Sequence, residues 1–323
     1  MGCSALGNLY HAVSDSAAVD AVHRAVHLGI RYFDTAPHYG FGLSEQRLGA
    51  ALASIDATKV LISTKVGRLL RPTSAMGPRH GFVNALPYEP VFDYTYSGVM
   101  QSFESSLQRL GRPRINILLA HDLGVMTHGA AATAMTDEFL AGGYPAMLEL
   151  QRDGHVDAIG IGVNEIAICE QLLGLIPLDV ILLAGRYTLL EQGGVTILDR
   201  CARAGVQVIV GGPFNSGLLV EHDDAGSRHY NYAAAPPQIV RKAQSLRITC
   251  DRHRTPLPAA ALQFPLAHPA VTCALAGLSS SEEVSQAITW SDFPIPPELW
   301  AELRASKLID PAAPAPESAQ PRV

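Results

Sequence analysis

Short apolar runs alternate with amphipathic stretches along most of the chain. Val19, Val22, Val26 and Ile30 recur at helical spacing behind Ser14-Asp15-Ser16, which predicts a helix with an N-terminal cap and an end at Gly29. Residues 31–34 read as a strand running into a turn at Pro37 and Gly40. Ser44 is the expected cap of the next helix, which carries Leu48 and Leu52, with Glu45 in its first turn, where a carboxylate suits the helix dipole. Residues 60–65 open on the apolar run Val60-Leu61-Ile62 and predict a buried strand ending in the charge of Lys65. The alternation then predicts helices over 97–110, 145–152, 166–173, 195–204, 238–251 and 281–288, and strands over 115–120, 158–163, 180–184, 206–210 and 272–276. With a first strand in residues 2–9, eight strand–helix units result, the count that closes a (β/α)8 TIM barrel. A doubly wound open sheet is the alternative. That fold usually carries a Gly-rich fingerprint after its first strand, and Gly160-Ile161-Gly162 lacks the third glycine.

The length of 323 residues suits one barrel domain over 1–309 with long loops at the C-terminal face of the barrel. Residues 310–323, rich in Pro, Ala and Ser, read as a disordered tail. Two connections are long, 67–96 and 122–143. The first contains Phe82, Tyr88, Phe92, Tyr94 and Tyr96, too aromatic for disorder, and is expected as a lid over the barrel mouth. The alternative is a satellite core packed on the wall. A net charge of −6 with no basic stripe argues against a nucleic-acid partner. No apolar stretch reaches the length of a membrane span, and the N-terminus does not read as a signal peptide, so a cytoplasmic location is expected. Five cysteines without a C-x-x-C pair read as reduced thiols.

Four polar residues fall at or just beyond the carboxyl ends of successive expected strands: Asp34, Tyr39, Lys65 and His121. Each alone has a bland reading, as a turn cap, a rim aromatic, a snorkelling lysine or a satisfied core histidine. In a barrel all four converge on one mouth, where active sites of this fold are built. A phenol titrates near 10, and a neighbouring ammonium favours its phenolate. Lys65 is expected to acidify Tyr39 in this way, with Asp34 holding Lys65 and His121 bonding a substrate oxygen. Such a set suits proton transfer at a carbonyl or alcohol oxygen while hydride moves at carbon. The histidines form no H-x-x-x-H pair with an adjacent Glu, and no metal site is expected.

Phe33-Asp34-Thr35-Ala36-Pro37-His38-Tyr39-Gly40, followed by Gly42-Leu43-Ser44-Glu45 and Leu48-Gly49, resembles the aldo-keto reductase signature. Ser63-Thr64-Lys65 and Leu118-Leu119-Ala120-His121-Asp122 look like that family's lysine and histidine strands. The resemblance spans residues 2–288. It implies a catalytic tetrad of Asp34, Tyr39, Lys65 and His121, and a nicotinamide cofactor across the barrel mouth. Asn164 matches a residue that holds the nicotinamide amide. The family's serine, glutamine and stacking aromatic are replaced by Val163, Ala184 and Gly211. The segment Gly212-Pro213-Phe214-Asn215-Ser216-Gly217-Leu218-Leu219 resembles the loop over the pyrophosphate, with backbone donors expected from Phe214, Ser216, Gly217 and Leu218.

The last strand bears on the choice of cofactor. Relatives grip a 2′-phosphate with Lys and Arg, whereas the matching places around Gly277 and Ser279 hold Gly277 and Glu283. A carboxylate repels a phosphate and accepts from a free 2′-OH, so NAD rather than NADP is expected. Residues 184–190 and 213–217 look like the branch of the family that holds the aldose 1-dehydrogenases and pyridoxal 4-dehydrogenase. This implies oxidation of an aldose at the anomeric carbon to the lactone, with Asp122, His128 and Arg186 as candidates for reading sugar hydroxyls. Pyridoxal oxidation, NADPH-dependent carbonyl reduction and a cofactor-sensing role are the alternatives. The oligomeric state is left open.

Overall fold

The computed structural model describes residues 1–220, 229–230 and 233–316. Strands and helices alternate along the chain in the expected order. The chain forms two compact units: one of Met1–Val163, Leu175–Ile181 and Gly277–Ser285, the other of Asn164–Gly174, Leu182–Ala276 and the chain from Gln286.

The first unit runs through α1 (Asp15–His27), β1 (Tyr32–Asp34), α2 (Leu43–Leu52), β2 (Leu61–Val66), an antiparallel hairpin of β3 (Arg68–Pro72) and β4 (Tyr88–Phe92), α3 (Tyr96–Leu110), β5 (Ile117–His121), two short helices α4 (Val125–His128) and α5 (Ala132–Glu138), α6 (Tyr144–Arg152) and β6 (Ala158–Val163). β1, β2, β5 and β6 pair in parallel in that order. The register sets Asp34 beside Ser63, Lys65 beside Leu119 and His121 beside Gly162. The strand expected in 2–9 is reduced to one residue. Gly2 bridges in parallel to both Asp34 and Gly277, and the chain then enters a 3-10 turn at Ala5–Gly7.

The helix ends follow from local chemistry. Ser14 caps α1 by accepting from the Ala17 N–H at 3.2 Å, and Gly29, at φ +87°, lets Ile30 N–H turn back to Ala25 O at 2.9 Å. The buried face of α1 is Ala18, Ala21, Val22 and Ala25, so small residues set a close approach and Val19 and Val26 flank it. Ser44 does not cap α2. Gly42 holds that position, and the buried Ser44 hydroxyl donates to Cys3 O at 2.7 Å and lies 2.8 Å from Thr35 Oγ1. Glu45 is fully buried and accepts from Thr64 Oγ1 (2.7 Å) and Arg109 Nε (2.6 Å), tying α2 to β2 and α3. A buried carboxylate needs such donors.

The second unit contains α7 (Ile166–Leu173), and β7 (Val180–Ala184) enters it at Leu182. Then come α8 (Val195–Ala204), β8 (Gln207–Gly211), the two-residue strands β9 (His229–Tyr230) and β10 (Ala233–Ala234), α9 (Pro237–Arg252), α10 (Leu257–Gln263) and β11 (Val271–Leu275), which pairs in parallel with β8. α11 (Ser281–Ser291) begins in the first unit, and α12 (Pro297–Ala305) lies in the second. Besides the short α4 and α5 in the connection expected over 122–143, two helices escaped the sequence pattern. α10 is buried on nearly every side and so has no amphipathic period, and α12 opens on Pro297 at its first position.

Residues 310–316, expected within a disordered tail, are packed on the chain. Ala313 N–H donates to Asp310 O and Arg304 to Ala313 O, and Ala313 and Ala315 are buried. The remainder, 317–323, lies outside the described residues. All five cysteines are unbridged. Among the described residues no helix is long and apolar enough to cross a membrane.

Candidate active site

β1 and β2 are short, and their last inward positions carry the charges. Lys65, 1% exposed, places Nζ 2.7 Å from Asp34 Oδ2, 2.8 Å from Thr35 O and 3.1 Å from Tyr39 Oη. The three ammonium hydrogens are thus all used, and the ammonium also lies 4.6 Å from the centre of the Tyr39 ring. The His121 ring stands nearly perpendicular to that of Tyr39, with centroids 5.9 Å apart. The structure therefore brings the four expected residues together. Gly162, paired with His121, leaves room for the lysine: a Cβ there would lie 3.3 Å from Lys65 Cε. Gly160 serves the neighbouring contact, where a Cβ would overlap Val180 O. This is why a Gly-x-Gly occurs without a dinucleotide loop.

Tyr39 is held from below and from the side. A Cβ on Gly7 would lie 2.6 Å from the Tyr39 carbonyl carbon, so only glycine permits this approach. Gly40, Phe41 and Gly42 all have positive φ, and at Phe41, with φ +58°, a β-carbon is strained there. Phe41 is fully buried beneath the Arg79 guanidinium, 4.9 Å from its ring. Leu86 N–H donates to Gly40 O, Val83 N–H to Asn8 O and Tyr10 N–H to Gly81 O. The expected lid is thus a packed wall. Its Phe82, 2% exposed, contacts the rings of His38, Tyr39 and Phe41.

The electrostatics correct one expectation. Burial, with the charges of Asp34 and Asp122, pushes the Tyr39 phenol well above its ordinary value, and Arg68 opposes this only in part. Asp34 sits closer to the ammonium than Tyr39 does and offsets much of its charge, so burial and the carboxylates outweigh the ammonium and the net shift of the phenol is upward. Tyr39 is a neutral hydrogen-bond donor. Burial, aided by Arg68 and Lys65, holds His121 well below its usual range, and it is a neutral imidazole. His38 is likewise driven down to about 2 by burial, then by Arg68, and its Nδ1 has no hydrogen-bond partner. When unfolded, such imidazoles take up protons below about pH 6.5. Native stability is therefore complete above that value and falls as pH drops, by about 1.4 kcal/mol per pH unit for each ring. His38→Gln is expected to remove roughly half of the resulting slope in melting temperature between about pH 6.5 and 4.5. An unchanged slope would refute this account of His38.

Residues not foreseen complete the surroundings. Arg68, directly after Gly67, pairs with Asp122 at 2.7 Å and stacks 4.5 Å above Phe92. Asp122, expected to read sugar hydroxyls, holds this guanidinium from a left-handed backbone at φ +53°. The fully buried Tyr94 hydroxyl donates to His121 O at 2.5 Å and lies 3.2 Å from His128 Nε2, which places His128 behind His121. A charged residue following a strand-end glycine was the available signal for Arg68. Tyr94 had none beyond the aromatic content of its loop.

The expected cofactor residues divide between the units. In the second, Arg186 Nε donates to Asn164 O at 2.7 Å, so the Arg186 guanidinium braces Asn164. Asn215, Ser216 and Gly217 are consecutive left-handed residues. Leu218 N–H is spent on Asn215 O at 3.3 Å, which corrects its expected role as a phosphate donor. Among the described residues the N–H groups of Phe214, Ser216 and Gly217 meet no backbone carbonyl. Such a run of amides fits an anion. A Cβ on Gly211 would lie 3.2 Å from Leu182 Cδ2 and 3.3 Å from Ala184 Cβ, so a side chain there would be crowded unless these neighbours shift. In the first unit Gly277 bridges Gly2, and Glu283 Oε2 accepts from Ser279 N (2.6 Å) and Ser279 Oγ (2.9 Å) while Glu283 N–H donates to Ser280 Oγ. Glu283 thus caps α11.

The chain is similar to known proteins along most of its length. The chain is 40% identical over 324 residues to pyridoxal 4-dehydrogenase of Microbacterium luteolum, covering 96% of this chain and 93% of that protein. It is 37% identical over 314 residues to D-threo-aldose 1-dehydrogenase of a Pseudomonas species, covering 95% and 93%. An aldo-keto reductase of Bacillus halodurans in its holo form superposes with a TM-score of 0.75 at 23% identity, over 96% of this chain and 91% of that one, which shows the (β/α)8 barrel fold. The model of the aldo/keto reductase family matches residues 1–307, and the chain, an oxidoreductase, belongs to that family.

Proposed function

We propose that the protein oxidises a cyclic hemiacetal to its lactone with NAD, with an aldose attacked at its anomeric carbon as the principal substrate. The observation that carries this reading is the Asp34–Lys65–Tyr39 cluster beside a neutral His121. Aldo-keto reductases use nicotinamide cofactors. Within the second unit, the amides of Phe214, Ser216 and Gly217 are suited to its pyrophosphate and Asn164 to its carboxamide. Within the first, Gly277, Ser279 and Glu283 are the candidates for its adenine ribose. When bound, the nicotinamide accepts the hydride.

The protein's own residues handle the proton. His121, as neutral imidazole, donates to the anomeric hydroxyl oxygen and orients it. Tyr39 Oη, once deprotonated, takes the hydroxyl proton, and Lys65 Nζ steadies the phenolate before transfer. Asp34 and Thr35 O fix the ammonium, so the phenol oxygen is placed before substrate arrives. The ring oxygen of a hemiacetal stabilises the positive charge that develops as hydride leaves.

Pyridoxal is the second reading. Its aldehyde closes on the neighbouring hydroxymethyl group to form a hemiacetal, so the names of both relatives share one functional group. The rings of His38, Phe82 and His121 around Tyr39 suit a flat heterocycle. Mixing NAD with a panel of aldoses and pyridoxal should raise NADH absorbance. Turnover confined to NADPH and simple aldehydes would refute the proposal, and tight cofactor binding without any turnover would favour a sensing role.

The preference for NAD rests on the start of α11, where Glu282 and Glu283 stand and residues 277–285 contain no Lys or Arg. A 2′-phosphate would meet like charge there. Glu283→Arg is expected to raise the NADP to NAD ratio of kcat/KM by about tenfold or more, the equivalent of roughly 1.4 kcal/mol. Because Glu283 also caps the helix, melting temperature should be read alongside. Unchanged selectivity would remove Glu283 from the cofactor argument.

A further inference from the structure

Beneath the tetrad, a chain of hydrogen bonds continues away from Tyr39. Ser63 is completely buried, and its hydroxyl donates to Asp34 Oδ1 at 2.7 Å, the oxygen that Lys65 does not use. The Tyr32 hydroxyl lies 2.7 Å from Ser63 Oγ. Ser63 has one hydroxyl hydrogen and it is committed to the carboxylate, so Tyr32 donates to Ser63. Strand alternation puts Tyr32 and Asp34 on one face of β1, and Ser63 and Lys65 on one face of β2. The parallel register sets Ser63 directly beside Asp34. Tyr32 is itself tied down by the amino terminus of Met1, which donates to its carbonyl at 2.6 Å.

From this geometry we infer that Ser63 is a positioning residue of the active site, and that Tyr32 acts through it to fix the carboxylate plane of Asp34. The inference rests on the assignment of Tyr39 as acid/base. Without Ser63, the Asp34 carboxylate is fixed through Oδ2 alone and is free to rotate about that contact. Lys65 Nζ follows the carboxylate, since its shortest bond is to Asp34, and its 3.1 Å contact with Tyr39 is the longest of its three. Ser63 touches neither substrate nor cofactor, so its loss should act on the chemical step and leave binding intact. A misplacement of about 1 Å in a reacting group costs on the order of a hundredfold in rate.

The test is steady-state kinetics on the full-length protein with its best hemiacetal substrate, alongside thermal denaturation. Ser63→Ala is expected to lower kcat by about ten- to a hundredfold while KM for both substrates stays within about twofold. Ser63→Thr keeps the hydroxyl and should recover at least half of the lost factor. Tyr32→Phe, which keeps the ring and removes one oxygen, should lower kcat by a smaller factor. Its effect should vanish in the Ser63→Ala background, because the Tyr32 hydroxyl reaches the Asp34 carboxylate through Ser63. Unchanged kcat in Ser63→Ala overturns the inference. So do effects of the two substitutions that multiply, or a fall in kcat accompanied by a matching rise in KM and a lower melting temperature. Tyr39→Phe, measured in parallel, separates the two claims. If Tyr39→Phe is inactive and Ser63→Ala is normal, only the positioning role fails. If Tyr39→Phe retains turnover, the site assignment fails and takes this inference with it.

Discussion

Tyr39→Phe is expected to lower turnover by about 10²- to 10⁴-fold while leaving the fold and cofactor binding in place. The substitution removes one oxygen at the head of a turn whose next residues, Gly40, Phe41 and Gly42, are buried and whose backbone is fixed by Gly7, Gly40 and Phe41. Lys65 loses one acceptor but keeps Asp34 and Thr35 O, so the cost in stability should be about 1 kcal/mol. The same phenol sets the pH dependence. Burial and two carboxylates raise its titration point, so the phenolate fraction is small at neutral pH and grows about tenfold with each pH unit below that point. Oxidation, which needs the phenolate, should therefore accelerate steadily from about pH 7 to 9. Carbonyl reduction, which needs the neutral phenol, should stay flat over the same range. Turnover that survives in Tyr39→Phe, or an oxidation rate independent of pH, would sink this assignment.

Lys65→Met should destabilise the protein by about 3–5 kcal/mol, because it strands the Asp34 carboxylate in a buried position. The side chains of this pair are 2% and 3% exposed, so water cannot take the place of the ammonium. For a chain of this size the loss amounts to a drop in melting temperature of roughly 4–7 °C. The double variant Asp34→Asn with Lys65→Met removes both charges and should regain most of that stability, since a neutral pair carries no uncompensated charge. Turnover should not return in the double variant, because the phenolate still lacks its cation. Equal melting temperatures for the wild type and Lys65→Met would show that the pair is not buried as described. Recovery of activity in the double variant would show that the ammonium is dispensable for proton transfer.

The alternation of apolar runs and amphipathic stretches was enough to give the order of strands and helices, since an eight-unit pattern leaves few ways to bury its faces. It failed where burial was not periodic, as in α10, and where a strand contributed one residue, as at Gly2. The four tetrad residues were legible because strand ends of one sheet point the same way, whichever loops follow them. Tyr32 and Ser63 were legible in part, since a period of two places them on the faces of Asp34 and Lys65, but their contact depends on the register between β1 and β2. Only the folded chain decided the charge states. A lysine beside a tyrosine in sequence logic acidifies it, yet burial and the nearer carboxylate of Asp34 reverse that outcome in space. Proximity along the chain gives residue types, whereas Coulomb energy and desolvation depend on distance and burial, which tertiary structure alone sets.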